Sequence, residues 1–393
     1  MKKKLAVIIT HPIQYFTPVF KELAQQCNLH VFYTWGKAAQ GEKFDHDFQK
    51  EIAWDIPLLD GYPYTFLKNT AKEPGSHHFF GIQNPDIVAV IKTFNPQAIL
   101  IYGWAYQSHL KVLRYFRGKI PLWFRGDSTL LDVMPFWKRT LRKIYLTLIY
   151  KMVDKAFYVG SAGKAYFLSY GLNENQLVFS PHAVDNRRFA ENRSDEANSL
   201  RQTFGIGSED ILILFAGKFE PRKNPLLLLN AFIETAAQNT HLLFVGNGIL
   251  ESGMKAVIDN IRSENSSKQI VDQIHFIDFQ NQSKMPVCYQ ACDVFCLPSN
   301  SETWGLSINE AMAAGKAVMA SEQVGCAPDL IKNNENGYIF KNQAELKVLI
   351  KQVAGNRKLL AEMGKASSQI IKNWSIKQQV VAFTNELENL KNG

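Results

Sequence analysis

The feature that most constrains this chain is an alternation that runs twice. Short apolar runs alternate with longer amphipathic stretches, and after a polar interruption the pattern starts again. In the first half, residues 5–10, 29–33, 98–102, 121–124, 156–159 and 177–179 read as strands. Stretches with helical periodicity lie between them, at 17–27, 85–94, 108–116, 137–152 and 163–170. In the second half, the strands are 211–215, 241–245, 274–277, 294–297 and 317–320, and the helices are 226–236, 250–261, 306–314 and 344–353. Alternation of this kind predicts a parallel sheet with helices on both faces, formed twice. The length of 393 residues suits two domains. The expected division is an N-terminal Rossmann-like domain over 1–190, a linker over 191–208, a second Rossmann-like domain over 209–370, and a terminal helix over 371–393 that packs back on the first domain. Doubly wound units take ligands at the carboxyl ends of their strands. Two such units facing one another would place the site in the cleft between them.

Charge separates the halves. Residues 1–190 hold 24 Lys and Arg against 14 Asp and Glu, whereas residues 191–393 hold 20 against 22. The whole excess of +8 therefore belongs to the first half. Such a bias points to an anionic partner, or to a solvated basic surface. No nucleic-acid-binding motif accompanies it, so a nucleic acid is not the expected partner. The start, Lys2-Lys3-Lys4 followed by Leu5–Ile9, has the look of a signal peptide. Its apolar run stops at Thr10-His11-Pro12 without a small-residue cleavage site, which fits a buried first strand better. No run of about 18 apolar residues is present to span a membrane. Of the five cysteines, Cys288, Cys292 and Cys296 are regularly spaced but have no His or further Cys at ligand spacing. They read as small buried thiols in a reduced, cytoplasmic setting.

The densest chemical signal lies in 297–331. Glu302 falls in a strand-to-helix loop and Glu310 one to two turns into the following helix, with Thr303, Trp304, Gly305 and Leu306 between them. Gly305 lets backbone approach a ligand closely. The helix start offers free N–H groups to a phosphate, and a carboxylate such as Glu310 suits a ribose diol. The second signal is Phe215-Ala216-Gly217-Lys218-Phe219-Glu220-Pro221-Arg222-Lys223-Asn224-Pro225, a strand ending in Gly with two lysines before a helix. Two fixed ammonium groups can stabilise the charge on a departing diphosphate.

These words resemble the E-x7-E motif and the basic strand-end loop of the GT-B glycosyltransferases, in particular the retaining family 4. The resemblance is strong over about 210–340 and only architectural in the first half. It implies an α/β, GT-B chain of two Rossmann-like doubly wound domains facing across a cleft. It assigns the donor to Gly217, Lys218, Lys223, Gly246, Phe279, Glu302, Thr303, Trp304, Gly305, Leu306 and Glu310. Thr303 and Trp304 stand where the family often has Gly and Phe, and Lys218 stands where Arg is common.

The first half departs further. Where family members often have a glycine-rich loop, this chain has Thr10-His11-Pro12-Ile13-Gln14-Tyr15, and Arg125-Gly126-Asp127-Ser128 replaces a stretch that often carries a pocket His. His11, Gln14, Arg125, Asp127 and His182 are the acceptor-side candidates, with His11 able to deprotonate a hydroxyl or merely to stabilise a turn. Glu302, Lys218, Lys223, His11 and Asp127 form the candidate catalytic set. Asp45-His46-Asp47 is formally a D-x-D metal motif, but it sits in a polar loop and reads as coincidence. The basic and apolar stretch from Trp137 to Lys151 admits two readings: a helix resting on an anionic bilayer, or a domain helix with one buried face and a basic exposed one.

The resemblance implies a metal-independent, retaining transfer of a sugar from a UDP- or GDP-linked donor to a saccharide or lipid-linked acceptor in glycoconjugate or cell-surface polysaccharide synthesis. The expected location is the cytoplasm, in peripheral contact with the inner membrane face, and no cofactor is expected. Two rivals remain: a nucleotide-sugar 2-epimerase of the same fold, and a non-catalytic nucleotide-sugar-binding subunit.

Overall fold

A computed structural model describes residues 2–37, 43–45, 50–132, 134–263 and 268–390. The chain divides into two compact units. One comprises residues 1–41, 56–183 and 375–393, and the other residues 42–55 and 184–374.

Among the described residues, the first unit holds one sheet of seven parallel strands. In chain order these are β1 (Lys4–Ile9), β2 (Asn28–Tyr33), β3 (Tyr64–Phe66), β4 (Ala98–Tyr102), β5 (Leu122–Arg125), β6 (Lys155–Tyr158) and β7 (Leu177–Phe179). Their spatial order is β3-β2-β1-β4-β5-β6-β7. Successive side chains of β1 point to opposite faces, and both faces are covered. Ala6 and Ile8 join the core formed with Ile99, Ile101 and Phe124. Leu5, Val7 and Ile9 join Leu100, Trp123 and Phe157 on the other side, where Val380, Phe383 and Leu387 of the helix Ile376–Asn389 complete the core. The chain's last helix is thus a built part of the first unit.

The basic start has a local explanation. Lys2 donates to the carbonyl of Gln25, Lys3 to those of Glu388 and Leu390, and Lys4 to that of Phe94 at 3.0 Å. Each ammonium meets the carboxyl end of a different helix, Thr17–Gln26, Ile376–Asn389 and Ile87–Phe94, where unsatisfied carbonyls attract a cation.

In the second unit six parallel strands are described: β8 (Ile211–Ala216), β9 (Thr240–Val245), β10 (Ile274–Ile277), β11 (Val294–Leu297), β12 (Ala317–Ser321) and β13 (Gly337–Phe340). Their spatial order, β10-β9-β8-β11-β12-β13, reverses direction between β8 and β11. That reversal is the topological switch point, where a ligand crevice opens beyond the carboxyl ends of the strands.

The linker expected over 191–208 is corrected. Residues Ser194–Thr203 form a helix that packs on Met285–Ala291. Its Arg201 is buried and donates to the carbonyls of Ala291, Gly207 and Asp210 and to Asp293 Oδ2. Polarity misleads here because the charges are used inside the unit. The units meet in sequence at 183/184 and 374/375 instead. A ribbon of Lys43–Asp45 and Lys50–Ile52 also belongs to the second unit. His46 and Asp47 of the D-x-D pattern lie outside the described residues. All five cysteines are free and buried, and burial pushes the thiols of Cys288 and Cys292 up to about 12.

Candidate active site

At the switch point of the second unit, β8 leads into Gly217 and Lys218, and β11 leads into 298–305. Gly217 has φ +154° and Gly246, after β9, has φ +141°. A Cβ on Gly246 would sit 2.0 Å from the Gly217 carbonyl oxygen, and one on Gly248 would sit 2.6 Å from that of Phe219. Only glycine lets these two strand-end loops close on one another. Their backbones are also bonded, Phe219 N donating to Asn247 O at 2.9 Å. Asn247 extends the network, its Oδ1 accepting from Phe279 N at 2.8 Å. Phe279 thereby stands in the loop after β10, half-buried, with Trp54 edge-on at 6.3 Å.

The loop that carries Lys223 is fastened to the loop that carries Glu302. Asn300 N donates to Arg222 O at 2.8 Å, Asn300 Nδ2 donates to Pro221 O at 3.0 Å, and Asn224 Nδ2 donates to Asn300 Oδ1 at 3.0 Å. Asn224 adopts φ +52° as it caps the helix Pro225–Thr235. Across this fastening Lys223 Nζ forms an ion pair with Glu302 Oε2, with both side chains largely enclosed at 17% and 11% exposure. Glu302 is held by its backbone as well, its N donating to Gln323 O and its O accepting from Gly325 N. A Cβ on Gly325 would meet the Thr303 carbonyl at 2.0 Å, so the 302–304 segment lies directly on 323–325. Lys218 sits half-buried one residue beyond Gly217 in the same strand-end loop.

Gly305, at φ +97°, opens the helix Leu306–Ala313. Trp304 does not offer its side chain to a ligand. The indole is buried, donates from Nε1 to Asn309 Oδ1 at 2.9 Å, and packs on Trp374 with ring centroids 5.1 Å apart. Thr303 and Leu306 remain half-buried beside it. Glu310 is buried on the same helix, and its Oε2 accepts from Tyr289 Oη at 2.7 Å. Gly217, Lys218, Lys223, Gly246, Phe279 and Glu302–Leu306 thus gather at the ends of β8, β9, β10 and β11, with Glu310 one helix turn further on. Asn247, Asn300 and Tyr289, which hold these groups, are given no site role by the sequence reading. Nothing in their spacing marks them, because each acts across a gap of 21 or more residues.

In the first unit, His11 follows β1 at the equivalent switch point. It is half-buried, with Nδ1 2.9 Å from Thr10 Oγ1 and Trp35 edge-on at 5.4 Å. Gln14 and Asp127 are half-buried in the loops after β1 and β5. Two acceptor-side assignments need correction. The Arg125 guanidinium is enclosed, donating to Ser180 O and Oγ at 2.9 Å and to Pro181 O at 3.2 Å, with Phe383 beneath it. It braces the end of β5 rather than presenting a cation to a substrate. His182 is buried and stacked on Phe16 at 5.7 Å. Burial first, and the Arg125 charge second, hold its imidazole well below the usual histidine range, so it is neutral.

Comparison with known proteins bears on the family of the second unit and on the fold of the chain. Residues 196–370 match the family described as glycosyl transferases group 1. The D-inositol 3-phosphate glycosyltransferase of Rhodococcus erythropolis is 28% identical over 181 residues, which cover 45% of this chain and 40% of that one. The lipopolysaccharide 1,2-N-acetylglucosaminetransferase of Salmonella typhimurium is 29% identical over 208 residues, covering 49% of this chain and 52% of that one. The chain therefore spans only about half or less of the length of these relatives. Solved structures match almost throughout. Anabaena Alr3699/HepE in complex with UDP has a TM-score of 0.74 at 16% identity, covering 99% of this chain and 100% of that one. Sucrose-phosphate synthase of Thermosynechococcus elongatus has 0.73 at 15%, covering 98% of each. The segment 196–370 is a glycosyl transferases group 1 domain, and the chain has the α/β GT-B fold with two Rossmann-like parallel-sheet units.

Proposed function

We propose that the protein is a retaining glycosyltransferase that moves a hexose or N-acetylhexosamine from a UDP-linked donor to a saccharide carried on a lipid. The observation that carries this reading is the Lys223–Glu302 pair, fastened by Asn300 at the switch point of the second unit. A nucleotide in that crevice has Phe279 and its loop for the base, Glu310 for the ribose, and Lys218 and Lys223 for the diphosphate. Glu302 and the backbone of Thr303–Trp304–Gly305 are left for the sugar. UDP as the nucleotide is supported by the Anabaena neighbour, which is known in complexes with UDP and with UDP-glucose. A saccharide acceptor is supported by the lipopolysaccharide relative.

In the proposed reaction, the bond between the anomeric carbon and the diphosphate oxygen breaks, and a bond to the acceptor oxygen forms on the same face. The acceptor proton leaves on the diphosphate. Lys218 and Lys223 stabilise the charge that builds on the leaving group. No metal ion is required for this, and EDTA should leave turnover unchanged. His11 and Asp127 are the acceptor-side groups of the first unit. The reading extends to location: transfer occurs in the cytoplasm, with the basic first half resting on an anionic membrane face.

The test is thermal stabilisation by UDP-, GDP- and ADP-sugars, followed by incubation of the stabilising sugar with and without glycolipid acceptors. A raised Tm with a UDP-sugar and release of UDP only when acceptor is present are expected. An epimer formed from donor alone would overturn the reading in favour of a 2-epimerase. Binding without turnover on any acceptor would make the chain a binding subunit.

A further inference from the structure

The helix Phe136–Tyr150 turns one side inward, where Leu146, Ile149 and Tyr150 are buried. A domain helix would present a polar face on the opposite side. Here that side is apolar: Trp137, Leu141, Ile144 and Leu148 are 60%, 60%, 58% and 58% exposed. Their spacing of four, three and four residues puts them in one line along the helix, diametrically across from the buried trio. Phe136 at the helix start is 73% exposed, and Leu130 in the preceding segment is 52% exposed.

Isolated apolar residues on a surface need no explanation, but a continuous line of large ones marks a partner. Charge identifies the partner. Residues 133–151 contain no Asp or Glu, while Lys138, Arg139, Arg142 and Lys143 lie within the helix and Lys151 follows it. Lys138 borders the apolar line and Lys143 is exposed behind it, whereas Arg139 lies over the Phe136 ring at 5.5 Å and Arg142 turns onto its own domain, over the Tyr166 ring at 5.9 Å. A second copy of the same helix would bring the exposed Lys138 and Lys143 of one copy towards those of the other, with no Asp or Glu in residues 133–151 to pair with them. An anionic bilayer satisfies both features, with acyl chains for the apolar line and headgroups for the cations. Fifteen residues of helix extend about 22 Å, short of the roughly 30 Å hydrocarbon core, so the helix lies along the surface and does not cross.

We infer that the helix Phe136–Tyr150 is an in-plane membrane anchor. It lays Trp137, Leu141, Ile144 and Leu148 into the boundary between headgroups and acyl chains of an anionic bilayer. The inference rests on the proposed function only for its use, the presentation of a lipid-carried acceptor; the binding itself needs no substrate.

The test uses the full chain in flotation assays with phosphatidylcholine vesicles, with and without one-third phosphatidylglycerol. Wild type should bind the anionic vesicles at least tenfold better than the neutral ones. The triple variant Leu141→Ser, Ile144→Ser, Leu148→Ser should lose at least tenfold of that binding with no fall in Tm and no change in stabilisation by UDP. Lys138→Glu with Lys143→Glu should remove the preference for anionic vesicles. Absence of wild-type binding, or equal binding by the triple variant, would overturn the anchor. A wild-type dimer that the triple variant dissolves into monomers, without vesicle binding, would assign the line to a second copy instead. Failure of UDP to stabilise any variant while vesicle binding persists would strike the proposed function and leave the anchor standing.

Discussion

Replacing Lys223 with Met, Glu302 with Gln, and then both together separates what their ion pair does for the fold from what it does for a ligand. The two side chains are only 17% and 11% exposed. Removing one partner from a fully buried pair costs about 3–5 kcal/mol, because the other charge stays behind unpaired. Some solvent access here lowers the expected cost of Lys223→Met to roughly 2–3 kcal/mol, with Glu302→Gln somewhat milder because the amide still accepts a hydrogen bond. The double variant removes both charges and should recover a good part of this, giving a coupling energy of about 1–2 kcal/mol in a double-mutant cycle. Turnover should behave differently. Each single variant should release UDP from the stabilising UDP-sugar at least about 100-fold more slowly, roughly 3 kcal/mol of transition-state stabilisation, and the double variant should recover none of it. Urea unfolding gives the first quantity and UDP release in the presence of acceptor the second. A double variant that regains turnover along with stability would refute the reasoning, since the pair would then be only a brace.

Tyr289→Phe removes the hydroxyl that donates to Glu310 Oε2. It should cost about 1–2 kcal/mol of stability and raise the KM for donor more than it lowers kcat, as measured by steady-state kinetics. Gly246→Ala drives a Cβ to within 2.0 Å of the Gly217 carbonyl at a φ of +141°. A Tm drop corresponding to roughly 2–3 kcal/mol and weakened UDP binding by calorimetry are expected. His109 is fully buried between Gly103 O and Thr34 Oγ1, and burial lowers its pKa from 6.5 to about 4. Between those values the unfolded chain takes up a proton that the folded chain refuses. Stability is therefore complete above about pH 6.5 and falls as the pH drops towards 4, by on the order of 3 kcal/mol from this residue. Urea titrations across that range should show a shallower fall in His109→Gln.

Most strands were legible because a parallel strand buried on both faces is almost wholly apolar, as Leu5–Ile9 and Ile211–Phe215 are. Besides the short ribbon of Lys43–Asp45 and Lys50–Ile52, the strands missed are edge strands of the two parallel sheets. Tyr64–Phe66 is three residues long with an exposed tyrosine, and Gly337–Phe340 begins with glycine after an asparagine-rich turn. In the site, glycines and charged residues were readable because their chemistry is local: Gly217 and Gly246 need open φ space, and Lys223 and Glu302 flank turns. Arg125 and His182 were misjudged because a strand-end position says nothing about which neighbours will enclose a side chain. Arg125 is claimed by Ser180 and Pro181, 55 and 56 residues away. The helix Phe136–Tyr150 was ambiguous for a similar reason, since its periodicity gives an apolar stripe on each side but not which one the domain covers.

The place of the helix Ile376–Asn389 has a consequence for biogenesis. Phe383 packs against Phe157 at 4.6 Å and, with Val380 and Leu387, fills one face of the β1 sheet. As the ribosome emits the chain, the domain begun first lacks that face until residue 375 and beyond emerge, whereas the domain drawn mainly from 184–374 already has its strands in hand. The domain begun first is finished last, and a nascent chain stalled before Phe383 should carry a sticky, unfinished sheet that chaperones recognise.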